Sequence, residues 1–182
     1  MQEKISINSW QEGHMKKMVL SMLVDNTAGV LSRVAGLFSR RGYNIDSLSV
    51  GETEDPAFSR MTVVVKGDDL ILEQIRKQLN KLEDVREVKE LMPDESVCRE
   101  LILVKVYATV QQRQPIIAIA DIFRAKIVDV AIDSMMMELT GNQAKLDAFI
   151  KLLEGFTIKE IVRTGITGLS RGAGDIADYL DD

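Results

Sequence analysis

The sequence predicts an α+β fold built of two tandem ferredoxin-like domains, each with the order β-α-β-β-α-β. Three observations carry that prediction. Short apolar or alternating runs of strand length interleave with segments whose apolar residues recur at helical spacing. The six-element order is completed twice, before and after a polar break at MPDES (92–96). Two stretches also align between the halves: VAGLF (34–38) with IADIF (119–123), and LEQIRKQL (72–79) with LDAFIKLL (146–153). Repetition on this scale marks duplication of one supersecondary unit.

Taken in order, KMVLSMLV (17–24) is nearly continuous apolar sequence, as in a central strand. DNTAG (25–29) supplies turn and capping residues. Residues 30–41 then form a helix, with Val30, Val34, Leu37 and Phe38 on one face, Leu31 and Ala35 beside it, and Gly42 at the C-cap position. NIDSLSV (44–50) alternates as a strand, GETEDPA is a loop, and FSRMTVVVK (58–66) is the next strand. Residues 70–82 are amphipathic through Leu72, Ile75, Leu79 and Leu82, with Asp68–Asp69 as the cap, and 85–91 close the unit as a strand. In the second half the predicted strands are 101–108, 127–132, 135–139 and 158–164. Its predicted helices are 115–124, with Pro115 in the first turn where proline is tolerated, and 142–153. The domains are therefore expected at 18–92 and 97–172, with a polar tail at 1–17 and an acidic tail at 173–182.

Composition excludes several functions. The chain has 182 residues, enough for two small domains, and a 46% apolar share that fills their cores. No run of about 18 apolar residues suggests a membrane span. A net charge of −5 argues against nucleic acid, whose binding rests on Lys and Arg, and 5% aromatic residues leave little to stack on bases. The single cysteine, Cys98, excludes an internal disulfide, and the polar start lacks a signal peptide's apolar core. The expected setting is reduced, intracellular and cytoplasmic.

Catalytic constellations are missing from the sequence. His14, the only histidine, lies in the tail and has no partner at metal-ligand spacing. Cys98 has no histidine placed to activate it and reads as a small apolar strand residue. Glu52, Glu54 and Asp55 read as a solvated loop face, and Met135–Met137 as part of a strand with one or two adaptable contacts. No P-loop and no dinucleotide fingerprint is present. No catalytic residue and no metal ligand is therefore assigned.

The informative segment is Asp25-Asn26-Thr27-Ala28-Gly29. It presents backbone N–H groups at a helix N-terminus, where the dipole favours an anion such as a carboxylate. Gly29 permits close approach to the backbone. Asn26 and Asn44 each offer a donor and an acceptor, and together they match the carboxylate and ammonium of a free amino acid. On spacing alone a second reading stands: Asn26 is a turn residue and Gly29 eases a tight loop.

The segment VDNTAGVLSRVAGLFSRRGYNIDSLSVGETEDPAFSRMTVVV resembles the amino-terminal ACT domain of the regulatory (small) subunits of acetohydroxyacid synthase, also called acetolactate synthase. KLDAF (145–149) and TGITGLSRG (164–172) resemble the carboxy-terminal half of the same family. The resemblance covers roughly residues 18 to 172 and implies a non-catalytic subunit. That subunit raises the activity of a separate catalytic large subunit and confers feedback inhibition by valine. It implies no cofactor on this chain, with thiamine diphosphate, magnesium and FAD on the catalytic partner. The family's effector site maps onto Asn26, Gly29 and Asn44, with Thr27, Ala28, Val30 and Ile45 as neighbours, at an interface between the ACT domains of a homodimer. Asp25 stands where many relatives carry Glu. Aligned without gaps on VAGLF and IADIF, Gly29 falls opposite Gln114, Val30 opposite Pro115 and Asn44 opposite Asp129. The second domain is then expected to lack the binding turn and to serve as scaffold or partner contact.

Rival readings are a ferredoxin-like RNA-binding module, an ACT-type amino-acid sensor of another enzyme, and a small metabolic enzyme. FSRMTVVVK lacks the aromatic pattern of an RNA-binding strand. The missing acid–base constellation opposes an enzyme.

Overall fold

A computed structural model describes residues 15–174. His14, most of the polar tail and the acidic end from residue 175 lie outside the described residues. The described chain divides into two compact units, one running to Ser96 and taken up again from Ser170, the other Val97–Leu169.

In the first unit the elements are β1 (Lys16–Asp25), α1 (Val30–Arg41), β2 (Ile45–Glu52), β3 (Phe58–Gly67), α2 (Asp69–Leu79) and β4 (Val85–Glu90). They form an antiparallel sheet in the order β2-β3-β1-β4, with β1 fully paired to β3 from Lys16↔Gly67 to Asp25↔Phe58. Alternation along β1 and β3 turns Leu20, Met22, Val24, Met61, Val63 and Val65 toward the helices. There they join Val34, Leu37 and Phe38 of α1 and Leu72, Ile75 and Leu79 of α2 in one core. Asp68 caps α2 by accepting from the Ile71 N–H at 2.8 Å. Gly42 ends α1 in the left-handed conformation and donates its N–H back to the last turn.

The second unit repeats this with β5 (Ser96–Tyr107), α3 (Val110–Phe123), β6 (Lys126–Val130), β7 (Ser134–Gly141), α4 (Gln143–Leu153) and β8 (Ile158–Arg163), in sheet order β6-β7-β5-β8. Met135 and Met137 are buried among Ile102, Val104, Val106 and Phe149, while Met136 points to the other face. Even the irregularities recur: each sheet has a register shift near the end of its central strand, at Leu23/Val24 and Lys105/Val106, and another in its edge strand, at Ile45/Ser47 and Ile127/Asp129.

Helix α2 ends at Leu79, short of the predicted 82, β6 ends at Val130, short of the predicted 132, and three further differences stand out. β5 begins at Ser96, five residues before the predicted strand, so the break lies at residues 91–95. A short strand, β9 (Thr167–Ser170), continues beside β5 after a left-handed turn at Gly165; four residues carry too little periodicity to be read as a strand. Helix α3 starts at Val110, five residues before the predicted start, and keeps Pro115 in its interior. The cause is local: Gln112 Oε1 accepts from the Thr109 N–H at 3.1 Å and the Thr109 hydroxyl at 3.2 Å, as a T-x-x-Q capping pattern does. Pro115 removes one helical bond, to the carbonyl of the exposed Gln111, which water can serve.

Candidate functional site

The turn after β1 is pinned from both sides of the sheet. Asp25 donates its N–H to the Asp84 carbonyl and Asn26 donates its own to the Ala57 carbonyl, both at 2.8 Å. The chain then passes through exposed Thr27 and Ala28 to Gly29, the N-cap of α1, at φ 89° and ψ −9°. This left-handed conformation suits a residue without Cβ. Gly29 also brings no side-chain cap. The first-turn N–H groups, on exposed Leu31 and Ser32, keep the orphan donors that a helix start carries.

Charge gathers around this helix start. The Arg33 guanidinium lies over Gly29, with Nη1 2.8 Å from where a Cβ would stand, and its Nε holds the Asp84 carboxylate. That hydrogen bond keeps the Asp84 carboxyl below the ordinary carboxylate range, against the opposing effect of desolvation. Arg86 grips Asp25 with two bonds of 2.6 Å. Asn26 is fully engaged: its Nδ2 donates to Glu52 at 3.2 Å and to the Pro56 carbonyl at 2.9 Å, and its Oδ1 accepts from the Ser59 hydroxyl at 3.1 Å.

The two asparagines do not meet within one chain. Asn26 follows the end of β1, where Asp25 pairs with Phe58, whereas Asn44 precedes Ile45, which pairs with Val65 at the far end of the same sheet. Helix α1, 12 residues and so roughly 18 Å long, runs between them. Asn44 is exposed and donates to Asp46 at 3.0 Å, and Asp46 in turn binds Lys66 at 2.8 Å. Of the other predicted residues, Val30 is buried in the core and Ile45 packs against it, which leaves only their backbone for a ligand. Glu52, Ser59 and Arg33 belong to the turn and were not foreseen. Glu52 and Ser59 lie 26 and 33 residues from Asn26 in sequence, and no local pattern links them.

The second unit replaces the two asparagines and the N-cap glycine. The backbone bond from Asn26 to Ala57 recurs as Ala108 N–H to Asp133 O at 2.9 Å, so Ala108 stands in the position of Asn26. In helix register Gly29 falls at Gln111, not Gln114, because VAGLF and IADIF sit about one turn out of step; α3 starts earlier, so its N-cap is Thr109. The edge-strand register likewise sets Lys126, not Asp129, in the place of Asn44. The expected loss of the binding turn therefore has a different cause from the one sequence alignment suggested. Pro115 is not at the helix start; the start is closed by its own side-chain cap.

Two other features bound the site. No group of three or more His, Cys, Asp or Glu residues among the described residues is placed to hold a metal ion. A cleft of about 420 Å3 lined by Lys89, Met92, Glu95 and Arg171 lies toward the other end of β4 from the turn.

Comparison with known proteins agrees across most of the described chain. Residues 20–87 match the family model of the acetohydroxyacid synthase small subunit-like ACT domain, and residues 99–172 match that of the small subunit of acetolactate synthase. A protein of Methanothermobacter thermautotrophicus named "Probable acetolactate synthase small subunit" is 53% identical over 156 residues, 85% of this chain and 93% of its own. The acetolactate synthase small subunit of Mycobacterium bovis is 50% identical over 157 residues, 86% and 94% of the two chains. The crystal structure of the Thermotoga maritima acetolactate synthase small subunit superposes with a TM-score of 0.79 at 43% identity, covering 87% of this chain and 99% of that one. No helix among the described residues is long and apolar enough to cross a membrane. On this evidence the chain belongs to the family of acetolactate synthase small subunits, the regulatory and non-catalytic members of that enzyme.

Proposed function

We propose that this chain activates a separate, cytoplasmic catalytic large subunit and makes it sensitive to valine, which binds at the β1–α1 turn of the first domain. Thiamine diphosphate, magnesium and FAD act on the catalytic partner and not here. The observation that carries the reading is the uncapped start of α1, with Gly29 in a left-handed turn, Arg33 above it and the Asn26–Glu52–Ser59 cluster beside it. The helix start and Arg33 suit a carboxylate. Glu52 suits the ammonium.

The far-apart asparagines favour a site shared by two copies. β2 is an edge strand of the first sheet. Antiparallel pairing of two β2 strands about a two-fold axis sets the start of one strand beside the end of the other. Asn44 of the partner subunit then meets Glu52 and the turn at Asn26, and the symmetry creates two such sites. Valine bound across the interface favours whichever dimer arrangement it fits better. Couplings of this kind are typically about 1–3 kcal/mol.

The test is an acetolactate synthase assay of a purified thiamine-dependent catalytic subunit, with and without this chain and with and without valine. Activity should rise when the chain is added, and the added part should fall as valine is titrated. No change on adding the chain, or a stimulation blind to valine, would contradict the proposal.

A further inference from the structure

The charges at the β1–α1 turn belong to the first unit and not to the fold, because the second unit keeps the backbone there and changes the side chains. The bond from the Asp25 N–H to the Asp84 carbonyl recurs as Tyr107 N–H to Thr157 O, both at 2.8 Å, so Tyr107 stands for Asp25 and Thr157 for Asp84. The helix ends close on Phe38 and Ala120, through the N–H groups of Tyr43 and Ala125, which puts Pro115 in the place of Arg33. Val85 pairs with Val24 and Ile158 with Val106, so Lys159 stands for Arg86. Where the first unit has two Arg–Asp pairs, the second has a threonine, a proline and Lys159 over the Tyr107 ring at 5.3 Å. The backbone bonds of the turn therefore form without either ion pair.

Asp84 is the residue that joins the two pairs. Its carbonyl accepts from Asp25, which Arg86 grips, and its carboxylate accepts from Nε of Arg33. A guanidinium carries five N–H donors, and Asp84 uses only the one on Nε. Nη1 and Nη2 of Arg33 have no partner among the described residues, and Nη1 lies over Gly29 at the start of α1. The edge left open is thus the one between the two Nη groups, which matches a carboxylate with two parallel bonds. The Arg33 side chain is half-exposed, and a long side chain there spreads over many rotamers unless something holds it. Asp84, at 22% exposure, holds it before any ligand arrives, and preorganisation of this kind lowers the entropy lost on binding.

We propose that Asp84 is a positioning residue for effector binding, on the reading that valine is held at this turn: it fixes Arg33 through Nε and leaves the Nη edge to take the effector's carboxylate. Asp84 itself does not touch the effector.

The test is calorimetric titration of valine into the full chain, for wild type, Asp84→Thr, Arg33→Ala and the two substitutions combined. Threonine is the residue with which the second unit builds the same backbone bond, melting curves show whether each variant is folded, and Asp84→Asn replaces Asp84→Thr if it is not. Arg33→Ala should weaken binding about ten-fold. Asp84→Thr should weaken it about five-fold, as couplings between contacting residues do, and should add nothing once Arg33 is gone. A merely structural role would weaken binding alike with Arg33 and without it. The Nε–H resonance of Arg33, assigned by its loss in Arg33→Ala, gives a second readout without valine: it should exchange slowly with water in wild type and fast in Asp84→Thr. Unchanged or tighter binding by Asp84→Thr, equal weakening in both backgrounds, or fast Nε–H exchange in wild type would overturn the positioning role alone. No binding of valine by wild type would overturn the proposed function, and this role with it.

Discussion

Asn26 holds the turn together besides the ligand role proposed for it, and a single substitution separates the two only in part. Its side chain ties the turn to Glu52, Pro56 and Ser59, so Asn26→Ala removes three hydrogen bonds as well as a ligand group. At an exposed turn where water replaces some of them, the expected loss is about 1–2 kcal/mol of stability. Asn44 makes a single local bond, to Asp46, and Asn44→Ala should leave thermal unfolding nearly unchanged while weakening valine inhibition. Melting curves of the two variants check this; an Asn44→Ala protein as unstable as Asn26→Ala would contradict it. Gly29 gives a sharper contrast. At φ 89° any side chain is strained, so Gly29→Ala should cost about 1–2 kcal/mol, and Gly29→Asp no more, since Asp tolerates this region somewhat better. Affinity should fall in the other order, because Asp sets a negative charge where the proposed site takes the carboxylate. Paired melting and valine titration check the crossing; Asp binding valine as well as Ala would remove the carboxylate from Gly29. Which residues form the turn was legible from D-N-T-A-G alone. That Arg33, Glu52 and Ser59 join them was not, because sheet pairing and not sequence proximity brings them there.

Elements were legible wherever periodicity and caps agreed. Helix α1 has its predicted bounds, between a glycine start and a glycine stop. Helix α3 does not: Pro115 reads as a first-turn residue, but the T-x-x-Q cap starts the helix one and a half turns earlier. The difference matters for function: α1 opens on uncapped N–H groups and α3 on a closed cap. Replacing Gln112 with Ala should fray the start of α3 at a cost of about 1 kcal/mol and leave valine binding untouched. A change in valine affinity would show that the domains are not divided in this way. Elements are also joined by surface ion pairs, and these set a pH response. Lys66 holds Asp46, Arg33 holds Asp84, Lys77 holds Glu73 and Lys105 holds Glu160 below their ordinary values, through hydrogen bonds first. A carboxylate whose pKa is depressed by folding stabilises the fold fully above its unfolded value, and that support is lost as pH falls through the folded one. Melting temperature should therefore hold steady through neutral pH and drop as pH falls below about 4. A melting temperature flat down to pH 3 would contradict this.

Across the whole molecule the duplication was the most legible feature, since each half repeats one order of elements around its own core. What the sequence could not give was the register between the halves. VAGLF and IADIF looked equivalent, yet backbone bonding shows Phe38 in the place of Ala120, so the correspondence drawn from them misplaced Gly29 and Asn44. The corrected equivalence sharpens the division of labour: Ala108, Gln111 and Lys126 stand where the first domain has Asn26, Gly29 and Asn44, and the N-cap moves to Thr109. A fragment ending at Ser96 keeps the whole first core and should bind valine as a dimer, while the piece from Val97 onward should not bind it. Titration and sedimentation of both pieces check this, and valine binding by the second piece alone would reverse the assignment. On the proposed reading, valine is held at the β1–α1 turn with help from Asn44. Calorimetric titration of valine into the full chain, wild type against Asn44→Ala, tests it most directly. Loss of one hydrogen bond to a charged group should weaken binding by about ten-fold or more. Equal affinities, or no binding to the wild type, would contradict the claim.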